Sequence, residues 1–144
     1  MHTKIIACTG VLAVLGLVGC SEESTTAQTA PETTTQAAVD GPTEAGLRQA
    51  ADSLNAAITR RDAATAWGHY SQRCQSLVGS QRVYEIMLEN EYKGRNPSST
   101  VAKVTVNGAS GQVVSVDSDP AAPASSSAAR TWTFISGKWQ FDAC

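Results

Sequence analysis

Acid–base chemistry in this chain would have to come from His69, Tyr70 and three aspartates, Asp117, Asp119 and Asp142. Such groups move protons when one lies within hydrogen-bond reach of a bound molecule and its pKa is shifted toward neutrality. Their placement does not pair them. His69 closes a helical segment, and the aspartates fall at strand ends or in turns, where turn-forming and solvated roles suffice. Metal ligation needs clustered His, Cys, Asp or Glu, and His69 is the only histidine beyond His2. There is no glycine-rich phosphate loop and no strand–Ser–helix elbow. Ser125-Ser126-Ser127 lies in an Ala/Ser/Pro stretch and reads as a flexible connection. The expectation is a protein with no catalytic residues, no metal and no cofactor.

The four cysteines, Cys8, Cys20, Cys74 and Cys144, carry more information. Met1 to Lys4 is a short segment with one firm positive charge, and Ile5 to Val18 is an almost unbroken apolar run of 14 residues. That length suits the apolar region of an export signal and falls short of spanning ~30 Å of hydrocarbon. Leu17-Val18-Gly19-Cys20 ends the run with a cysteine directly after a small residue. This stretch resembles the lipobox of bacterial lipoproteins. The resemblance implies that residues 1–19 are a lipoprotein signal peptide, that diacylglycerol is joined to the Cys20 thiol, and that the chain is cut between Gly19 and Cys20. Two or more acyl chains, palmitate among them, hold a protein firmly where one chain binds only marginally. The expected location is the extracytoplasmic face of the cell membrane, held through lipid on Cys20.

With Cys8 removed and Cys20 lipidated, the same resemblance leaves Cys74 and Cys144 in a compartment where disulfides persist. They are expected to bond to each other. The closed loop of about seventy residues would contribute roughly 4 kcal/mol in the chain-entropy account.

Residues 20–42 are the lipidated cysteine and a tether of Thr, Ala, Glu, Gln and Pro, which buries too little apolar surface to offset ordering. A solvated spacer accounts for its clustered threonines, as would O-linked sugar. Residues 43–144 form the folded domain, with ten Lys and Arg against nine Asp and Glu. A nearly neutral domain offers no footprint for nucleic acid.

Thr43 to Arg61 reads as a helix, with Leu47, Ala50, Ala51, Leu54, Ala57 and Ile58 on one stripe and Arg48, Asp52, Asn55 and Arg60 outward. Asp62 can cap a second helix through Trp67 and Tyr70, followed by Cys74 in a polar stretch. From Ser80 a third helix would turn Val83, Ile86, Met87 and Tyr84 inward, until Asn96-Pro97 breaks it. Strands follow at Thr100–Val106, with Ala102, Val104 and Val106 on one face, and at Gln112–Ser118, Arg130–Ile135 and Lys138–Phe141.

Helices first and an antiparallel meander after give an α+β domain: N-terminal helices packed on a curved sheet of about four strands. The Arg60-Arg61-Asp62…Trp67…Tyr70 helical pair and the closing WTF…GKWQF hairpin resemble those of the nuclear-transport-factor-2-like (NTF2-like) cone fold, as found in small actinobacterial lipoproteins. Trp67, Tyr70, Tyr84, Trp132, Phe134, Trp139 and Phe141 would line the cone or fill its core. The expected function is a non-catalytic module that binds a small apolar ligand or an envelope protein. The alternative implied by the resemblance is a small cone-fold enzyme of isomerase, cyclase or dehydratase type acting on an apolar substrate. A void of several hundred Å³ between sheet and helices would mark ligand binding, and a filled cone with an exposed apolar patch would mark protein docking.

Overall fold

The computed structural model describes residues 41–144. The signal segment, Cys20 and the tether up to residue 40 lie outside the described residues, and the expectations for them stand untouched. Within the described residues, four α-helices cover one face of an open, four-stranded antiparallel sheet. The α+β class and the strand number agree with the sequence pattern.

Helix α1 (Glu44–Thr59) starts where the Thr43 hydroxyl accepts the Gly46 amide, and it buries Leu47, Ala51, Leu54 and Ala57. Asn55, expected to face solvent, is half-buried instead. Its amide donates to the Ser115 hydroxyl on the sheet at 3.2 Å. Arg61 ends α1 in the left-handed region, with φ of 59°. Its guanidinium offsets that conformation by donating to the Tyr92 and Arg95 carbonyls at 3.0 and 2.9 Å. Asp62 then caps α2 (Ala63–Gly68), accepting the Thr65 amide at 3.0 Å.

The polar stretch after α2 is itself helical. Ser71 caps α3 (Gln72–Val78), and Cys74 sits fully buried on it. Ser, whose hydroxyl here accepts the Cys74 amide three residues on, is a strong helix-starting residue, and it overrides the polarity of Gln72 and Arg73. Helix α4 (Gln81–Glu91) departs further from expectation. It buries Tyr84 and Leu88, four residues apart, while Val83, Ile86 and Met87 are exposed, Met87 to 52%. Tyr84 faces inward as the sequence suggested, but it is joined by Leu88 rather than by Val83, Ile86 and Met87.

Strand β1 (Ser99–Asn107) pairs with β2 (Ser110–Asp117), and β2 in turn with β3 (Arg130–Ile135) and β3 with β4 (Lys138–Phe141). A bulge between Val101 and Lys103 resets the alternation, so Val101, Val104 and Val106 are half-buried and Ala102, expected among them, is exposed. The Ser136-Gly137 turn has positive φ at both positions, which matches the twist of a two-residue hairpin. Residues 69–71 cover the β4 edge, the Ser71 amide donating to the Phe141 carbonyl and the Phe141 amide to that of His69. Ser125-Ser126-Ser127, read as a flexible connection, lies within a short 3₁₀ turn at Ala124–Ser127.

Cys74 and Cys144 form a disulfide with their Cα atoms 5.6 Å apart, 70 residues apart in sequence. It joins the end of the chain to α3.

Candidate functional site

The helix layer does not close completely on the sheet. Between α1, α4 and the helix-facing side of β2 and β3 lies a cavity of about 410 Å³. Alternation on β2 turns Val113, Ser115 and Asp117 to this side, and on β3 it turns Arg130 and Trp132. From the helices come Leu54, Asn55 and Ile58 on α1 and Tyr84 on α4. The walls thus mix apolar side chains with polar and charged ones, Glu91, Arg95, Asp117 and Arg130 among them.

Four of the seven aromatics expected at the cone line the cavity: Tyr70, Tyr84, Trp132 and Phe141. They form a chain of ring contacts, Trp132 to Phe141 at 5.6 Å, Phe141 to Tyr70 at 4.9 Å and Tyr70 to Tyr84 at 4.9 Å between centroids. Trp67 backs this chain against Tyr84 at 5.6 Å. Phe134 and Trp139 pair edge to face on the far side, along a shallow groove beside His69 and Lys138.

Tyr84 is 5% exposed, and its hydroxyl has no hydrogen-bond partner among the described residues. Burial, and then the neighbouring Tyr70, push the Tyr84 phenol far above its ordinary range, and burial raises Tyr70 and Tyr92 as well. All three remain neutral donors near physiological pH.

One wall carries a buried charge network. Arg95, 12% exposed, contacts Asp117 and Asp119 at 3.3 Å each and Glu91 at 3.4 Å. Asp117, 4% exposed, also accepts the Ser98 and Asp119 amides at 3.0 Å. The Asp119 carboxylate accepts the Ala121 amide, the bond that chiefly holds it below the usual range, and the Asn96 amide as well. Tyr92 lies between the guanidinium groups of Arg61 and Arg95, at 4.9 and 5.0 Å from its ring centre. These carboxylates are fixed as ion-pair and turn-capping groups.

The structure does not bring His69 to the cavity. Its Nε2 lies 3.0 Å from the Ser53 hydroxyl on the other side of α1, and burial lowers its pKa. Asp142 does not line the cavity either, although its neighbours Phe141 and Ala143 do; its carboxylate is bound to Ser71, Arg73 and Thr133 beside the disulfide.

Asn55, Arg95, Ser115 and Arg130 belong to the cavity and were not singled out from the sequence. The alternation of β2 was the available signal for Ser115. For Arg95 only Glu91 lies nearby in sequence, and its buried partners Asp117 and Asp119 lie more than twenty residues away. No protein-family model matches the chain, and neither does any curated protein or solved structure.

Proposed function

We propose that this chain is a lipid-anchored protein of the bacterial cell envelope whose domain, a small NTF2-like cone, binds an apolar molecule without transforming it. The single observation behind the binding half is the cavity of about 410 Å³ between helices and sheet, with Leu54, Ile58, Val113 and Trp132 among its lining residues. The two carboxylates on the wall, Asp117 and Glu91, are both paired to Arg95, which favours binding over proton abstraction. The anchoring half rests on Leu17-Val18-Gly19-Cys20 and the apolar run before it.

Native mass spectrometry of the full chain extracted from membranes tests both halves. The expected species begins at Cys20, carries acyl lipid, lacks two hydrogens at Cys74 and Cys144, and retains a small apolar adduct. A Cys20→Ala protein that stays on the membrane would overturn the anchor. A chain that takes up no member of an apolar ligand panel would overturn the binding function.

An envelope protein as partner draws on a different observation, the exposed stripe of Val83, Ile86 and Met87 on α4. Cross-linking from a Met87→Cys variant in intact membranes would capture such a partner at that stripe.

A further inference from the structure

Beyond Asp142, Ala143 and Cys144 line the cavity, Cys144 as an exposed residue like Ser125 and Arg130. Val113 and Trp132 are buried and lie at the floor, so the exposed set rims the opening. Little holds Ala143 and Cys144 there. Asp142 before them is fixed by its amide to the Thr131 carbonyl and by its carboxylate to Ser71, Arg73 and Thr133. After it, the described residues offer one hydrogen bond, from the Arg73 guanidinium to the Cys144 carbonyl at 3.4 Å, and the disulfide to Cys74. The bonded cysteines differ in access, Cys74 being fully buried and Cys144 exposed.

We propose that this disulfide is a redox latch on the cavity. Closed, it holds Ala143 and Cys144 at the rim; its reduction by a dithiol frees them and widens the entrance. A thiolate of the dithiol attacks the accessible Cys144 sulfur, forming a mixed disulfide and expelling Cys74 as a thiolate, which takes up a proton. The second thiol of the reductant then attacks the reductant's own sulfur in the mixed disulfide and releases Cys144 as a thiol. Two electrons and two protons pass to the protein, and the dithiol leaves as a disulfide. The Arg73 guanidinium lies 3.9 Å from the Cys74 sulfur and favours its departure as an anion. Asp142, 3.7 Å away, opposes this, but its carboxylate is shared among Ser71, Thr133 and the same arginine. Release breaks no strand pairing, since the segment follows β4, and the Asp142 contacts still tie α3 to β3. The latch rests on the cavity being a ligand site and names what regulates it.

Stopped-flow uptake of the neutral dye N-phenyl-1-naphthylamine by the full-length chain tests it, before and after dithiothreitol, with circular dichroism recorded in each state. Uptake is expected to be several-fold faster after reduction and to return to the slow rate on reoxidation. Cys144→Ser should take up the dye at the fast rate with or without dithiothreitol. Gly111→Ala, whose added methyl would overlap Leu47 while the disulfide stays intact, should remain slow. Equal rates in the oxidised and reduced chains overturn the latch and leave the cavity as a site open in both states. Loss of native circular dichroism on reduction also overturns it, because a latch must open without unfolding the domain. Fast uptake by Gly111→Ala would trace the effect to general loosening and overturn it as well. Uptake by neither form overturns the ligand site, and the latch with it.

Discussion

The Ser71 hydroxyl donates a 2.5 Å hydrogen bond to the Asp142 carboxylate, across 71 residues of chain. The same carboxylate accepts from Arg73 at 3.1 Å and from Thr133 at 3.1 Å, so one side chain joins α3, β3 and the segment after β4. Ser71 also caps α3 and is itself buried, which makes this the polar counterpart of the disulfide beside it.

Burial alone would raise the Asp142 pKa, but the Ser71 and Thr133 hydroxyls and the Arg73 charge together outweigh it and hold the group below 3.8. A depressed carboxylate contributes stability that is present above its unfolded value and is lost as pH falls through the folded one. Asp142→Asn is therefore expected to destabilise the domain by about 1–3 kcal/mol at neutral pH. The gap between variant and native protein should close as pH drops below 3.8. Urea denaturation at a series of pH values reads this directly, and a gap that stays constant into acid would refute it.

Gly111 on β2 lies directly under Leu47 of α1 and the Trp139 ring. A Cβ there would overlap Leu47 Cδ2 and stand 3.1 Å from the Trp139 ring. Leu47 is fully buried, so it has little room to yield. Gly111→Ala should cost about 1–3 kcal/mol through overpacking. Combining it with Leu47→Ala should cost clearly less than the two changes separately, because the shorter side chain removes the clash. Additive thermal shifts in the double variant would show that the two residues are not in conflict.

The fold was legible wherever local pattern and tertiary environment agree. The α1 stripe, the Asp62 cap and the β3–β4 hairpin were all visible, because each depends on residues within a few positions of one another. The Ala102 bulge and the inward stripe of α4 were not. A bulge leaves no residue signature here, and α4 carries apolar residues on both of its faces, so periodicity alone could not choose between Tyr84 with Leu88 and Val83 with Met87. The aromatic wall of the cavity was visible as alternation. Its charged wall was hidden, since Arg95 meets Asp117 and Asp119 only after the strands have formed.

That charged wall gives a contrast between two partners of Arg95. The Arg95–Asp117 pair is nearly buried, whereas Glu91 is 62% exposed. Removing the cation strands a buried carboxylate, at a cost of about 3–5 kcal/mol, while an exposed ion pair contributes about 0–1 kcal/mol. Arg95→Met should thus lower the melting temperature severely, and Glu91→Gln should barely move it. Similar losses from the two variants would mean that the pair with Asp117 is solvated.

His69 supplies a second window of pH dependence, opposite in origin to that of Asp142. Burial lowers its pKa from 6.5, and its Nε2 lies 3.0 Å from the Ser53 hydroxyl. The unfolded chain therefore binds a proton at a pH where the folded domain still excludes it. Stability should fall as pH drops from 6.5 toward the folded value, and level off below that value as both states become protonated. His69→Gln, which keeps a polar partner for Ser53 and cannot titrate, should flatten that slope and leave the acid-range loss governed by Asp142 in place. Chemical denaturation of both proteins across the mildly acidic range separates the outcomes. An unchanged slope in the variant would assign the titration to another group.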